Sequence, residues 1–278
     1  MHHPNVVLLW FPVKVRIDKL MVDRGLVPSR ERAQALILAG KVLVNEQKVD
    51  KAGTSFHDDV AIRLLGEDLR YVSRGGLKLE KALQHWDVNL NGRTCLDVGA
   101  STGGFTDCML QHGAANVIAV DTGYGQIDMK LRQDSRVQLL EKTNARYLTA
   151  EHLSPLLRRT DKSTTTAPIQ PISFVAMDVS FISATLVLPA VIASSFGAPV
   201  SEGTLRQAVV LVKPQFEVGR EHVGKGGIVR DLGAQITAAQ KVRAAIQQLG
   251  ATETDLIDSP ILGAEGNREF LLFARFGC

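Results

Sequence analysis

The feature that most restricts the fold is a series of short apolar runs that begins at residue 94 and continues toward the end of the chain. Strands that alternate with helical stretches in this way predict an α/β sandwich on a largely parallel sheet. We therefore expect one large α/β domain over residues 93–278, with a surface loop at 161–171, where two prolines follow a polar run. The seven candidate strands are Thr94–Val98, Asn116–Asp121, Arg136–Glu141, Ile172–Asp178, Ala208–Lys213, Thr252–Ile257 and Glu269–Phe276.

Residues 15–66 have a different pattern. Apolar spacing predicts two short helices, the first ending at Gly25 and the second starting after Ser29 as N-cap and ending near Gly40. These residues therefore predict a small α+β domain, joined by a linker over 67–92 to the α/β domain. The expected strands are Val42–Val44, a partner near Lys48-Val49 after a turn at Asn45-Glu46, and a last strand over Val60–Leu64.

Charge also separates the two parts of the chain. Residues 1–74 hold 12 Lys and Arg against nine Asp and Glu, and the remaining residues hold 20 of each. The whole net charge of +3 thus lies in the first quarter, as a module that contacts phosphates requires. Scatter among so few charges would give the same balance.

Cysteine usage and hydropathy exclude other classes of protein. The three cysteines, Cys95, Cys108 and Cys278, show no C-x-x-C spacing, so neither a disulfide framework nor a zinc site is expected. The apolar run at 6–13 is too short to span a bilayer. We expect a protein of the reducing cytoplasm with no metal and no membrane partner.

A glycine-rich turn follows the first strand of the large domain. It misses the G-x-G-x-x-G spacing of a dinucleotide site, and the acidic Asp97 would sit badly beside a pyrophosphate. Asp97 suits the cationic amino-acid end of S-adenosylmethionine instead, directly or through water. The expected cofactor residues of this turn are Gly99, Ser101, Thr102, Gly103, Gly104 and Phe105.

Two further residues point to a nucleoside. Asp121 ends the next strand, where a carboxylate can accept hydrogen bonds from two ribose hydroxyls. Asn144, after the third strand, could read the adenine edge or could equally be a polar turn residue. Together, the glycine-rich turn with Asp97 and the carboxylate of Asp121 favour a methyl donor over a dinucleotide.

Charged residues at strand ends predict the reaction centre. Asp178 and Lys213 end successive strands, and ligands of open parallel sheets bind beyond those ends, so Asp178 is also expected to contact the cofactor. A hydroxyl that attacks a sulfonium methyl must lose its proton, and a lysine can accept it only as a neutral amine. A purely structural Asp178–Lys213 ion pair is the alternative.

The first domain resembles the RNA-binding module of ribosomal protein S-four. The resemblance lies in Arg32–Ile37 and in Ala39–Asn45, and Glu46 departs from it where the module usually has Gly. The resemblance implies contact with RNA, and its expected basic residues here are Arg16, Lys19, Arg30, Arg32 and Lys41.

Segments along the whole chain resemble the TlyA (hemolysin-A-like) family. Such proteins join the S-four-like module to a Rossmann-like class I methyltransferase domain of the FtsJ type. The resemblance implies S-adenosylmethionine as cofactor, ribosomal RNA or ribosomal subunits as partner, cytidine 2′-hydroxyls as target, and a catalytic tetrad of Lys78, Asp178, Lys213 and Glu269. It is carried by residues 73–79 and 99–105, by Asp178–Ser183 and Lys213–Gly219, and by Gly224–Asp231.

Three alternative functions predict other sequence features. A hemolysin that lyses membranes directly would need a spanning segment or a long basic amphipathic helix, and neither is found. A pseudouridine synthase would share the first module but not the Asp97 turn. A catalytically inactive ribosome-assembly factor predicts loss of tetrad residues, and all four are present. The sequence does not identify the nucleotide, the ribosomal subunit or the oligomeric state.

Overall fold

The computed structural model describes residues 14–24, 26–27, 29–65, 70–157, 170–197, 205–263 and 265–277. The chain divides into two units, Met1–Asp68 and Leu69–Cys278. Gly25, Cys278, the run at 6–13 and most of the expected 161–171 loop lie outside the described residues.

The first unit contains both expected helices and the expected hairpin. One antiparallel sheet has the order β3-β2-β5, and β1 pairs with β4 in a separate two-stranded sheet. The β1–β4 pair was not predicted from the sequence, since neither strand contains a run of apolar residues such as Val42–Val44. The elements are β1 (Lys14–Arg16), α1 (Ile17–Asp23), α2 (Arg30–Leu38), β2 (Val42–Val44), β3 (Gln47–Lys48), β4 (Ser55–His57) and β5 (Ile62–Leu64).

Helix α2 begins and ends as its sequence predicts. The Ser29 hydroxyl accepts a hydrogen bond from the Arg32 amide at 3.2 Å, which satisfies one of the free donors of the first turn. Gly40 takes φ +64° just after the helix. The inner face of α2 packs with α1 and the strands in one buried core that includes Ile17, Met21, Ala33, Leu36, Ile37, Val42 and Val44.

The hairpin turn keeps its form although it lacks the usual glycine. Asn45 and Glu46 have φ of +49° and +64°, which a side chain adopts only at a cost. Glu46 is also bound by Arg63, whose Nε donates to Oε1 at 3.0 Å. The turn thus has the positive φ that its usual glycine would adopt, although Glu46 stands in that position.

The second unit is the expected α/β sandwich. All seven predicted strands are present, and their bounds differ from the prediction by no more than two residues. The unit begins before residue 93 and includes a helix within the segment that the sequence assigns to a linker. The elements are α3 (Gly75–His85), β6 (Thr94–Val98), α4 (Gly104–Gln111), β7 (Asn116–Val120), α5 (Met129–Arg132), β8 (Val137–Leu140), α6 (Ala150–Leu157), β9 (Ile172–Met177), α7 (Ala184–Phe196), β10 (Arg206–Val212), α8 (Pro214–Glu217), α9 (Leu232–Gln248), β11 (Ala251–Asp258) and β12 (Phe270–Phe276).

The sheet has the order β11-β12-β10-β9-β6-β7-β8. Strands β10, β9, β6, β7 and β8 are parallel, and β12 runs antiparallel to both β10 and β11. Alternate residues of the strands face two separate cores: Leu96 lies with α6, α7 and α9, whereas Cys95 lies with α3, α4 and α5. Helices therefore cover both faces, and ligands of such sheets bind at the edge formed by the carboxyl ends of the parallel strands.

Hydropathy agrees with this architecture. None of the helices in the described part of the chain combines the length and apolar character that a bilayer span needs.

Candidate active site

The turn after β6 is built so that two other segments can approach it closely. A Cβ on Gly99, which has φ +85°, would lie 2.3 Å from the Asp178 carbonyl oxygen, and one on Gly104 would lie 2.2 Å from Ser73 Oγ. Both positions therefore require glycine. The turn, the segment after β9 and the segment before α3 meet here.

These three segments line a cavity of about 320 Å³ that holds all four predicted catalytic residues. These four residues form two ion pairs. Lys213 Nζ lies 2.6 Å from Asp178 Oδ1 and donates to Ser180 Oγ at 2.7 Å, while Lys78 Nζ donates to Glu269 Oε2 at 2.5 Å. Of the predicted turn residues, Gly99, Ser101, Thr102, Gly104 and Phe105 line this cavity, whereas Gly103 is the N-cap of α4 and does not line it.

Glu269 reaches this edge because of the direction of β12. Strand β12 is antiparallel to β10 with Val212 opposite Phe270, so its first residues lie beside the last residues of β10. Glu269 precedes Phe270 and Lys213 follows Val212, which brings both to the same end of the sheet. Lys78 and Glu269 are each less than a tenth exposed. Burying two charges is costly unless they pair, as these do.

A second cavity of about 420 Å³ shares Gly99, Ser101, Asp178 and Ser180 with the first. It contains Asp121, whose carboxylate accepts hydrogen bonds from the Ser101 and Gly123 amides at 2.8 and 2.6 Å. The carboxylate is thus fixed at the end of β7. Asn144 also lines this cavity, and its side chain caps the turn Ala145–Tyr147 by accepting from the Arg146 amide at 3.0 Å.

Asp97 lies deeper than the sequence suggests. Its side chain is fully buried and lines neither of these two cavities, and its Oδ2 accepts a hydrogen bond from Thr106 Oγ1 at 2.6 Å. Burial raises the pKa of Asp97 to about 7, against the opposing effect of the Thr106 hydrogen bond. Contact between Asp97 and the cofactor stays a prediction.

The raised pKa of Asp97 predicts a pH effect on stability. The folded state keeps the proton to about pH 7, while the unfolded chain loses it near pH 4, so this residue destabilises the fold increasingly across that window. Asp97→Asn retains an acceptor for Thr106 and has no proton to lose. The Tm of the variant minus that of the wild type should rise from pH 4 to pH 7 and then level off. A constant Tm difference would contradict the assignment.

The sequence interpretation missed Phe181. Its side chain is 90% exposed, it has φ +64°, and its ring centroid lies 5.5 Å from that of Phe216. The two rings, Lys213 and Gln215 line a third cavity, of about 350 Å³. An aromatic residue in the Asp178–Ser183 segment was the available signal, but neither its exposure nor its strained backbone can be read from sequence.

Two of the five residues predicted to contact RNA have structural partners. Asp18 in α1 is fully buried, and its Oδ2 accepts from Arg16 Nη2, Arg30 Nη2 and Gln34 Nε2 at 2.9–3.0 Å. The Arg16 guanidinium holds the pKa of Asp18 well below its usual range. Arg16 and Arg30 remain half exposed. Lys19, Arg32 and Lys41 make no ion pair among the described residues and are the better candidates for phosphate contacts.

No group of His, Cys, Asp and Glu side chains within the described ranges is arranged to hold a metal ion. Cys95 and Cys108 are buried free thiols, and burial raises the pKa of both.

Comparisons with known proteins agree with this arrangement. Residues 71–276 match the FtsJ-like methyltransferase family, and residues 15–58 match the S4 domain. The 16S/23S rRNA (cytidine-2′-O)-methyltransferase TlyA of Mycobacterium tuberculosis strain H37Rv is 40% identical over 263 residues, covering 94% of this chain and 90% of the relative. Hemolysin A of Brachyspira hyodysenteriae is 38% identical over 257 residues, covering 92% and 98%.

A solved structure from Streptococcus thermophilus is similar over 96% of this chain and 90% of its own, with a TM-score of 0.66 and 41% identity. The chain therefore belongs to the TlyA (hemolysin-A-like) family of FtsJ-like methyltransferases that carry an S4 domain.

Proposed function

We propose that this chain transfers a methyl group from S-adenosylmethionine to the 2′-hydroxyl of a cytidine in ribosomal RNA, in the cytoplasm. The observation that carries the proposal is Lys213, held by Asp178 and Ser180 in the cavity formed by the glycine-rich turn. The target is suggested by the relative from Mycobacterium tuberculosis, which is named for that reaction.

The residues of the two joined cavities fit the proposed cofactor. Asp121 would accept hydrogen bonds from the ribose hydroxyls, because its carboxylate is fixed by two backbone amides and still lines the cavity. Asn144 would lie near the adenine, and the turn around Gly99 would face the methionine part. When bound, the cofactor supplies a methyl group on a positively charged sulfur.

Lys213 is the proposed general base. Its amine, when neutral, takes the proton of the 2′-hydroxyl as the oxygen forms its bond to the methyl carbon and the carbon–sulfur bond breaks. Asp178 and Ser180 hold the amine in place. Lys78, fixed by Glu269 on the same cavity, can donate a hydrogen bond to another oxygen of the target nucleotide.

The third cavity lies beside Lys213, the proposed general base, and is the proposed site of the target nucleotide. Exposed aromatic rings stack on unpaired bases, which is how proteins commonly hold single-stranded RNA. Phe181 offers such a ring, and Lys213 lines the same cavity. A cytosine stacked here would place its own ribose toward Lys213.

The S4 domain is expected to supply phosphate contacts. Replacing Lys19, Arg32 and Lys41 together by Gln should weaken RNA binding and reduce the slope of log K against log salt by about 0.7–0.9 for each phosphate that is no longer neutralised. Arg30→Gln should instead lower Tm, because it leaves buried Asp18 short of a partner. Binding titrations at several salt concentrations measure the slope, and Lys51→Gln serves as the charge control. An unchanged slope in the triple variant would exclude these contacts.

Transfer of a labelled methyl group to purified ribosomal subunits tests the proposal. The label should enter RNA and be recovered in dinucleotides that resist alkaline hydrolysis, since a methylated 2′-oxygen can no longer attack the neighbouring phosphate. RNA binding without any transfer would favour the ribosome-assembly role instead.

A further inference from the structure

Glu217, the last residue of α8, joins the two segments that carry Lys213 and Asp178. Its side chain is buried, its Oε1 accepts from the Ala184 amide at 2.6 Å, and its Oε2 accepts from Ser183 Oγ at 2.5 Å. Ser183 and Ala184 end the segment that begins at Asp178. The Glu217 carboxylate therefore connects the far ends of the segments 178–184 and 213–217.

The near ends of these segments are joined as well. Lys213 Nζ contacts Asp178 and Ser180, and the rings of Phe181 and Phe216 lie 5.5 Å apart between the two junctions. The two segments are thus joined at both ends, and the Lys213 amine forms one of the two junctions. Phe181 is held at a positive φ between these junctions, which its neighbours must enforce.

Glu217 satisfies one first-turn amide of α7, that of Ala184, but it does so from a different segment of the chain. The Ser183 hydroxyl already accepts from the Thr185 amide as the N-cap of that helix. Burial raises the pKa of Glu217, opposed by the hydrogen bonds from Ser183 and Ala184, so keeping a carboxylate here is costly. What Glu217 adds is the connection between the segments 178–184 and 213–217.

Lys241 of α9 provides the balancing charge. Its Nζ lies 3.6 Å from Glu217 Oε2 and donates to the Glu217 carbonyl oxygen at 2.8 Å. About half of the Lys241 side chain is exposed, so it shields the carboxylate from one side only. Lys241 contacts neither Ser183 nor Ala184 among the hydrogen bonds and ion pairs of the described residues.

We propose that Glu217 is a positioning residue for methyl transfer: it fixes the 178–184 segment so that Asp178 and Ser180 hold the Lys213 amine at the reacting edge. This inference rests on the proposed function of the same site. Loss of the connection should lower kcat more than the affinity for S-adenosylmethionine, because Asp121 keeps its two amide hydrogen bonds while the segment with Asp178 and Ser180, which also lines the second cavity, loses its support.

The test compares Glu217→Ala, Glu217→Asp and Glu217→Gln in the full-length chain. Alanine removes both hydrogen bonds, aspartate keeps the charge but is too short, and glutamine keeps an acceptor for Ala184 at the original length. We expect kcat to fall about 10- to 100-fold in the first two variants and to recover largely in the third. The pH at half-maximal kcat should shift in the first two, since the surroundings of Lys213 change.

Two controls separate positioning from stability. Asp231 caps α9 by accepting from the Ala234 amide at 2.6 Å, so Asp231→Ala removes a comparable hydrogen bond away from the two segments. Asp231→Ala should lower Tm to a similar extent as Glu217→Ala, without changing kcat. Lys241→Gln removes the balancing charge and should retain kcat within about twofold. If Glu217→Ala and Glu217→Asp lose no more activity than Asp231→Ala, the inference is wrong.

Hydrogen exchange provides a readout that does not need activity. The amides of residues 179–184 should exchange faster in Glu217→Ala than in the wild type and in Asp231→Ala. Unchanged exchange there would overturn the inference even if the wild type transferred no methyl group to RNA, a result that would separately reject the proposed function.

Discussion

Replacing Lys213 by alanine is expected to lower kcat for methyl transfer by about 10³-fold. A positioned general base contributes roughly 10² to 10⁴ to the rate, and Lys213 is the cation that contacts both Asp178 and Ser180 at the cavity. The affinity for S-adenosylmethionine should stay nearly unchanged, because the proposed cofactor contacts lie at Asp121 and the glycine-rich turn. Single-turnover transfer and titration calorimetry measure the two quantities separately.

Lys81→Ala is the matched control for this prediction. Lys81 lies exposed on α3, lines none of the three cavities and should be dispensable for transfer. Substantial turnover by Lys213→Ala would reject Lys213 as the base. A large loss of cofactor affinity in Lys213→Ala would instead place Lys213 in cofactor binding.

Breaking the Lys78–Glu269 pair is expected to cost about 3–5 kcal/mol of the free energy of unfolding, because it leaves one buried charge without its partner. Lys78→Met and Glu269→Leu should each show this loss. Since a buried ion pair can often be replaced by apolar residues at little cost, the double variant should regain most of its stability. It should not regain activity, because the ammonium group proposed to donate a hydrogen bond to the target nucleotide is gone.

The double-mutant cycle decides between a structural and a catalytic pair. A double variant that recovers methyl transfer together with stability would show that the pair only supports the fold. The exposed pair Arg268–Asp258, next to Glu269 in the chain, is the control and should contribute less than about 1 kcal/mol. Chemical denaturation with transfer assays on the same preparations gives both readouts.

Much of the fold was predictable because the inner strands of the large sheet are buried on both faces and stand out as apolar runs. The register of a parallel sheet then aligns the strand ends, so Asp121, Asp178 and Lys213 could be placed at one edge from sequence alone. Each lies one residue beyond its strand, where a polar side chain can leave the core.

The remaining parts of the site depend on contacts that sequence spacing does not show. Lys78 and Glu269 are 191 positions apart, and only the antiparallel direction of β12 explains how Glu269 reaches the same edge. Their link to the site was inferred from family resemblance.

The partners of charged side chains were also not predictable from the sequence. An outward-facing arginine such as Arg30 can be bound to a buried carboxylate, and the hydrophobic pattern does not show that Asp18 is buried. For the same reason the depth of Asp97 beneath the glycine-rich turn was not foreseen.

The most direct test of the central claim is the nucleoside composition of ribosomal RNA after incubation with the protein and isotopically labelled S-adenosylmethionine. Mass spectrometry should find the label in 2′-O-methylcytidine with the wild type, and none with Lys213→Ala. Label in a base-methylated nucleoside, or equal labelling by the two proteins, would contradict the account.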